Sequence, residues 1–490
     1  MIGKRASGAV KRWAMLASLV GTGCVGEPPR EPETIAWEAC GEHQCATVEV
    51  PLDPSQPDGA TTGVRILLAR ATRSSRSTIV FFPGGPGGPA VDQADGGFLD
   101  AFEQLGLRAT HDILFMDPRG TWHSDPIDCV GSPDLDRLIE LDLAGAVESG
   151  QLEAFDAELL EWQERCRAEY GARLDHLGSD RVADDLDRVR ALLGLETLDG
   201  FSVSYGTRLA GQYASRHGEH VNAFVLDSTV TPSAPSLREW FEAEARDYDT
   251  ALERFFMLCG SAPDCAFHGG SGPEPVALAY DALLSRLATE EVRSGPQRVR
   301  ELHLETGVNR GLAGGSATEL GRMLAAAEAG DWEPILRAAD DALGRRSPAT
   351  DTIIETYFAI LAEDVSCPAS FDLAEARTWS REVLRLAPRT GLVQVAQMLG
   401  ACLHPLQSDR APLALEASTA PPLLVLGGLH DPATPLAEAE TMVAALANGS
   451  YLVTYEGDGH FYTPRSLCIA GAELGFLARP TSPPTATSCR

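Results

Sequence analysis

With 490 residues, 44% of them apolar and 22% charged, the chain can bury one large or two ordinary cores, which excludes disorder as its dominant state. Its 40 Lys and Arg against 70 Asp and Glu give a formal net charge of −30, a surface that repels phosphate backbones and anionic headgroups, so nucleic acid is excluded as a partner. No long apolar run follows residue 30, and no transmembrane span is expected in the body of the chain.

In chain order, Lys4, Arg5, Lys11 and Arg12 precede a short apolar stretch from Trp13 to Val20, which gives way to Gly21, Thr22, Gly23 and Cys24. That order predicts an export signal over residues 1–24. Cys24 is similar to the lipid-attachment cysteine of bacterial lipoproteins, with Gly21 where Leu is usual, so Cys24 is a candidate lipidation site. The chain is therefore expected outside the cytoplasm: extracellular, periplasmic, or anchored to the cell envelope. Residues 25–40, rich in Pro and Glu, read as a leader or tether. Eleven cysteines become an even ten once Cys24 is set aside. They fall as near neighbours: Cys40 with Cys45, Cys129 with Cys166, Cys259 with Cys265, Cys367 with Cys402, and Cys468 with Cys489. Spacing does not fix connectivity, but an even set fits an oxidising compartment. No C-x-x-C pair supports zinc, and no metal site is expected.

From 41 to 231 short β-rich runs appear at 46–50, 63–69, 77–82 and 112–116, then at 198–203 and 223–226. The run from Ser77 to Phe82 is nearly all apolar and ends at Pro83-Gly84-Gly85, which suits a strand buried on both faces of a parallel sheet. Helical stripes alternate with these runs: Leu152, Phe155, Leu159, Trp162 and Cys166, then Val182, Leu186, Val189 and Leu193. Between 232 and 401 strand signals nearly vanish. Ser236 and Glu239 form a capping box ahead of a stripe that includes Leu237, Phe241, Tyr248 and Leu252, and the segment reads as an inserted helical cap. Strand runs return at 423–426 and 452–455, so 402–490 is the second part of the core. The fold class is α/β, a mostly parallel central sheet with the cap inserted.

One constellation carries chemistry. Leu198 to Thr207 runs from a strand through Ser202 and Ser204 into a helix, the setting of a nucleophile elbow with small residues two before and two after the serine. With Ser204 as nucleophile those positions are Ser202 and Gly206; with Ser202 they are Gly200 and Ser204. Ser204 is favoured because Ser-Tyr-Gly-Thr leads directly into the helix. The loop Pro83 to Gly88 can leave backbone N–H groups free for a developing oxyanion, so Gly85 and Tyr205 are the candidate donors. A serine needs a base and the base an orienting acid. His460 lies just past the last strand run, and Asp431 at the end of the preceding one; Asp458 is the rival acid. His217 and His220, and His123 and His430, carry less weight.

These pieces resemble the secreted tripeptidyl aminopeptidases, relatives of prolyl iminopeptidase in the α/β-hydrolase family. The resemblance rests on Pro83 to Gly88, on Met116-Asp117-Pro118-Arg119-Gly120-Thr121, on Ala183 to Arg190, on Ser204-Tyr205-Gly206-Thr207, and on the segments around Asp431 and His460. It departs at Ser202, where the family usually has Gly, and at Trp122, where Arg-Gly-x-Gly is common. The resemblance implies an α/β-hydrolase fold with a helical cap and an exported serine exopeptidase. In that reading Ser204 attacks, His460 relays the proton, Asp431 orients His460, and Gly85 and Tyr205 hold the oxyanion. The substrate is then a peptide with a free N-terminus, and no cofactor is needed. Cap carboxylates of the family bind the α-ammonium group, and Glu363 and Asp364 look similar to that segment. An esterase using the same triad is the alternative, and a non-catalytic binding protein on the same scaffold is a third reading.

Overall fold

A computed structural model describes residues 34–231, 236–345, 354–368, 370–406 and 415–490. The predicted export signal, Cys24 and most of the leader lie outside the described residues. Residues 35–490 form one compact unit.

The sheet is built from β1 (Glu38–Cys40), β2 (His43–Pro51), β3 (Thr61–Ala69), β4 (Ser77–Phe82), β5 (His111–Met116), β6 (Leu198–Val203) and β7 (Val221–Asp227). A separate hairpin, β8 (Val292–Ser294) and β9 (Gln297–Val299), follows; β10 (Leu424–His430), β11 (Tyr451–Asp458) and β12 (Ser488–Cys489) complete the sheet. Its ten strands run β1-β2-β3-β5-β4-β6-β7-β10-β11-β12. The pairings from β5 to β12 are parallel, whereas β1, β2 and β3 meander antiparallel at one edge. Residues 38–40, expected in the leader, are instead a strand paired antiparallel with β2, and Cys40 is bridged to Cys45 across the turn between them.

The continuous apolar runs follow from burial on both faces. Alternate residues go opposite ways: Val80, Phe82, Leu114 and Leu226 pack with the helices Ser179–Leu192 and Gly206–Arg216. Ile79, Phe81, Ile113 and Val225 pack with Phe102 and with Ile469 and Phe476 of the helix Leu467–Ala478.

Between β7 and β10 the described chain is helical apart from the β8–β9 hairpin, beginning with the 25-residue helix Leu237–Ser261, whose N-cap Ser236 accepts from the Glu239 N–H. This helical layer does not stand alone. The excursion between β5 and β6, including the helix Glu153–Tyr170, shares one apolar cluster with it, in which Trp162 packs among the same buried residues as Phe358, Trp379 and Met398. Five disulfides join the expected neighbours, Cys40–Cys45, Cys129–Cys166, Cys259–Cys265, Cys367–Cys402 and Cys468–Cys489. Among the described residues no helix is long and apolar enough to cross a membrane.

Candidate active site

The chemistry-bearing residues come from the carboxyl ends of β4, β6, β10 and β11, where the parallel strands deliver their loops to one side of the sheet. Ser204 follows β6 directly, with φ +56°, a left-handed conformation that costs a side-chain-bearing residue strain. Its N–H is held by the Asp227 carbonyl at 3.0 Å, and the helix Gly206–Arg216 starts two residues later. Glycine is required at 206, since a Cβ there would lie 2.2 Å from the Phe82 carbonyl oxygen. Ser202 is fully buried, and its hydroxyl donates to the Val225 carbonyl at 2.7 Å. Of the two serines only Ser204 faces a cavity.

Gly84 passes so close to that serine that a Cβ on it would sit 3.2 Å from the Ser204 Cβ. The next residue, Gly85, has φ +123° and precedes a cis bond to Pro86. The backbone N–H groups of Gly85 and Tyr205 find no hydrogen-bond partner among the described residues, and both residues line the cavity. The far end of the loop is fixed by Asp117, whose carboxylate accepts from the N–H groups of Ala90 and Val91 at 2.7 and 2.8 Å. Trp122 braces the middle by donating its indole N–H to the Gly87 carbonyl at 2.9 Å. Arg119, fully buried, clamps Asp185 and the carbonyls of Pro51 and Leu52, so this stretch of motif is a structural brace.

Asp431 and His460 meet at the ends of β10 and β11. The His460 Nδ1 lies 2.8 Å from the Asp431 Oδ2, which also accepts from the hydroxyls of Tyr462 at 2.7 Å and Thr434 at 3.0 Å. The other carboxylate oxygen accepts from the N–H groups of Ala433 and Thr434. Five donors therefore surround an acid that is 3% exposed. Burial pulls the His460 pKa down, but the charge of Asp431 and its hydrogen bond, with the charge of Asp227, outweigh burial and the opposing Arg310, and the net shift is upward. The backbone of His460 is held from above: its N–H donates to the carbonyl of Ala313 in the helical layer at 2.8 Å. Asp458 is engaged elsewhere, paired with Arg254. His217 is bonded to Asp184 and His123 to Asp92.

Ser204, Tyr205, Gly85 and His460 open onto one cavity of about 550 Å³, within the range of small-molecule sites. Its roof is built from faces of four helices. One is Leu237–Ser261, which contributes Trp240, Phe241, Glu244 and Tyr248 at helical spacing. Glu301–Ala313 contributes Thr306, Asn309 and Arg310; Ile354–Asp364 contributes Tyr357, Phe358 and Leu361; Leu392–Cys402 contributes Gln394 and Gln397.

The structure does not bring Glu363 and Asp364 into this cavity. Glu363 accepts from the Leu177 N–H at 2.7 Å; Asp364 accepts from the Ser179 N–H at 2.9 Å and the Tyr205 hydroxyl at 2.7 Å. Both are buried and stitch the helical layer to the core. Two carboxylates line the cavity, Asp341, which is exposed and paired with Arg310, and Glu244, with no ion pair among the described residues; sequence reasoning passed over both. Burial raises the Glu244 pKa to about 8, the charge of Asp247 adds to the rise, and a hydrogen bond from Gln394 opposes it. The available signal was an acid standing on the same helical stripe as Phe241 and Tyr248.

A family model described as alpha/beta hydrolase fold matches residues 77–269, and one described as TAP-like protein matches residues 390–489. The chain is 26% identical over 521 residues to "Serine protease Hip1" of Mycobacterium tuberculosis, covering 97% of each chain. It is 27% identical over 452 residues to the "Tripeptidyl aminopeptidase" of Streptomyces lividans, covering 87% of this chain and 80% of that one. "Carboxylesterase B" of Mycobacterium tuberculosis is 26% identical over 487 residues, covering 95% of this chain and 91% of that one.

Proposed function

The chain belongs to the α/β-hydrolases, in their TAP-like branch, and is a serine hydrolase; on that footing we propose that it is an exported aminopeptidase that removes short N-terminal units from peptides. The observation that carries the peptidase reading is Glu244, a carboxylate in the same cavity as Ser204 and His460. A peptide presents a cation at its N-terminus, and an anion in a site shielded from water is the group that recognises it. The entering ammonium favours the ionised form of Glu244 against the burial that opposes it.

In this reading the Ser204 hydroxyl attacks the scissile carbonyl while His460 takes its proton, and the carbonyl electron pair moves onto the oxygen, facing the Gly85 and Tyr205 N–H groups. The tetrahedral intermediate collapses as His460 passes the proton to the leaving amine, leaving an acyl-enzyme on Ser204. Water, deprotonated by the same histidine, then releases the N-terminal unit as an acid and restores the serine. Asp431 holds Nδ1 protonated, so that the other ring nitrogen is the base. The export reading is supported by the five disulfides and by the export-signal pattern of residues 1–24, basic residues ahead of a short apolar stretch.

A second reading, esterase action through the same triad, is favoured by the relative named a carboxylesterase. The two are separated by assaying free-amino peptide amides, their N-acetylated counterparts and short-chain esters, with Glu244→Gln beside the unsubstituted protein. The peptidase reading expects free-amino amides to be preferred, and Glu244→Gln to lower kcat/KM for them by roughly 10- to 100-fold while sparing the esters. Ester hydrolysis without amide hydrolysis would replace it with the esterase reading.

A further inference from the structure

A second cavity, of about 100 Å³, lies where the helical layer meets the carboxyl ends of β10 and β11. It shares no lining residue with the cavity that holds Ser204 and His460. Asp431 and Gly459 border it, whereas Thr434 and His460 border the active cavity, so the two cavities flank the loops that carry the acid and the base.

One side of this second cavity is a face of the helix Leu237–Ser261, on which Asp247, Ala251, Arg254 and Leu258 recur at helical spacing. The same helix gives Glu244 to the active cavity and Asp247, three residues on, to this one. Phe255, Leu312 and Leu320 are buried around the space, and Pro432 and Pro435 close it toward β10. Leu258 and Leu429, 36% and 53% exposed, form its mouth. The walls are therefore apolar, and what singles the site out is how the charges on them are matched. Arg254 and Asp458 are paired with each other. Asp431 is spent on its own five donors. His430 is driven toward its neutral form by burial and by the charge of Arg254, against that of Asp458. Asp247 is half-buried and has no hydrogen bond or ion pair among the described residues. Burial raises its pKa to about 6, the charge of Arg246 opposing the rise and that of Asp431 adding to it, so at neutral pH the group is chiefly an anion. A partly desolvated anion without a partner is costly, and a cation brought into the cavity relieves that cost.

The shape limits the cation. A cavity of about 150 Å³ is the size that accepts benzene, and a smaller one takes an aliphatic chain instead. With about 30 Å³ for each methylene-sized group, as for a water in the liquid, the space holds a chain of roughly three or four. Asp247 stands about 16 Å along the helix axis from Leu258 and near enough to Asp431 to feel its charge, which puts the anion at the inner end and the apolar rim at the outer. We propose that this cavity is an accessory binding site for short primary alkylammonium ions, the ammonium group on Asp247 and the alkyl chain running out between Phe255, Leu320 and Pro432 toward Leu258 and Leu429. Such an ion binds whether or not the active cavity is filled, and it ties the helical layer to the loop that carries Asp431.

The test titrates n-butylammonium into the full-length Glu244→Gln protein, which removes the unpaired acid of the active cavity from the readout. Saturation-transfer NMR follows binding at about 0.15 M salt, where diffuse attraction to the acidic surface is screened. Saturable binding is expected, and Asp247→Asn in the same background is expected to weaken it about 10- to 100-fold, the loss of a charge-assisted contact. Ala251→Leu, which fills the cavity and leaves Asp247 in place, is expected to weaken it as much. n-Butanol, without the charge, and tetramethylammonium, without N–H donors, are expected to bind about tenfold more weakly or worse. Both substituted residues lie outside the active cavity, so each variant should keep the parent's melting profile and its labelling at Ser204 by a fluorophosphonate. Absence of saturable binding, binding that survives Asp247→Asn, or tetramethylammonium bound as tightly as n-butylammonium overturns the site. None of these outcomes depends on whether the active cavity serves peptides or esters.

Discussion

Ser202 and Ser204 are two residues apart and chemically identical, and their surroundings give them different work. Ser204→Ala is expected to abolish turnover. Ser202→Ala keeps the elbow's conformation, loses one buried hydrogen bond to Val225 and is expected to cost about 1 kcal/mol, read as a lower urea midpoint with activity retained. The sequence could not separate the two with certainty, because small residues flank both; what separates them is a backbone angle, φ +56° at 204, which sequence does not display. His460 supplies a second test at this scale. Its pKa is raised, and it must be neutral to act as a base, so the acid limb of kcat/KM should lie above 6.5, the ordinary imidazole value. Asp431→Asn removes the charge that raises it. The pH profile of that variant should show the limb displaced downward, with a rate loss of about 10⁴-fold.

Among elements, the junction of β6 with its following helix is the tightest. A Cβ at Gly206 meets the backbone of β4, which cannot yield without disturbing the sheet, so Gly206→Ala is expected to cost about 3 kcal/mol or more and to reduce the yield of folded protein. Further from the sheet, the Cys129–Cys166 bridge closes 37 residues of the excursion that packs on the helical layer. Replacing both cysteines by Ser is expected to cost about 3–4 kcal/mol, measured by thermal melting. The strands were legible because apolar runs between Pro, Gly and Asp mark doubly buried strands; β4 and β6 carry the bounds read from sequence. The hairpin β8–β9 and the two-residue β12 were not, being too short to show periodicity. Glu363 and Asp364 illustrate a different limit. Which side of a helix meets a ligand and which meets the core is decided by packing partners distant in sequence, here Leu177 and Ser179, and those are fixed only by the fold.

For the whole molecule, several buried or half-buried carboxylates bind protons more tightly than in the unfolded chain. Burial raises Glu244, Glu305 and Glu355 to about 8. Between the ordinary carboxylate range and pH 8 the folded state therefore holds more protons than the unfolded one, and stability falls as pH rises through that window. The sign is opposite to that of a salt-bridged carboxylate. Melting temperature should decline from pH 5 to pH 9, and Glu355→Gln should flatten the decline. The chain's far end bears on the same molecule's behaviour in company. β12 is two residues long, lies along the outer edge of β11, and is tied back by Cys468–Cys489. Strand edges are templates for other chains, and β12 covers this one at Thr454 and Tyr455. Reduction of Cys468–Cys489 is expected to free β12 and leave an open seam along β11, where self-association competes with folding.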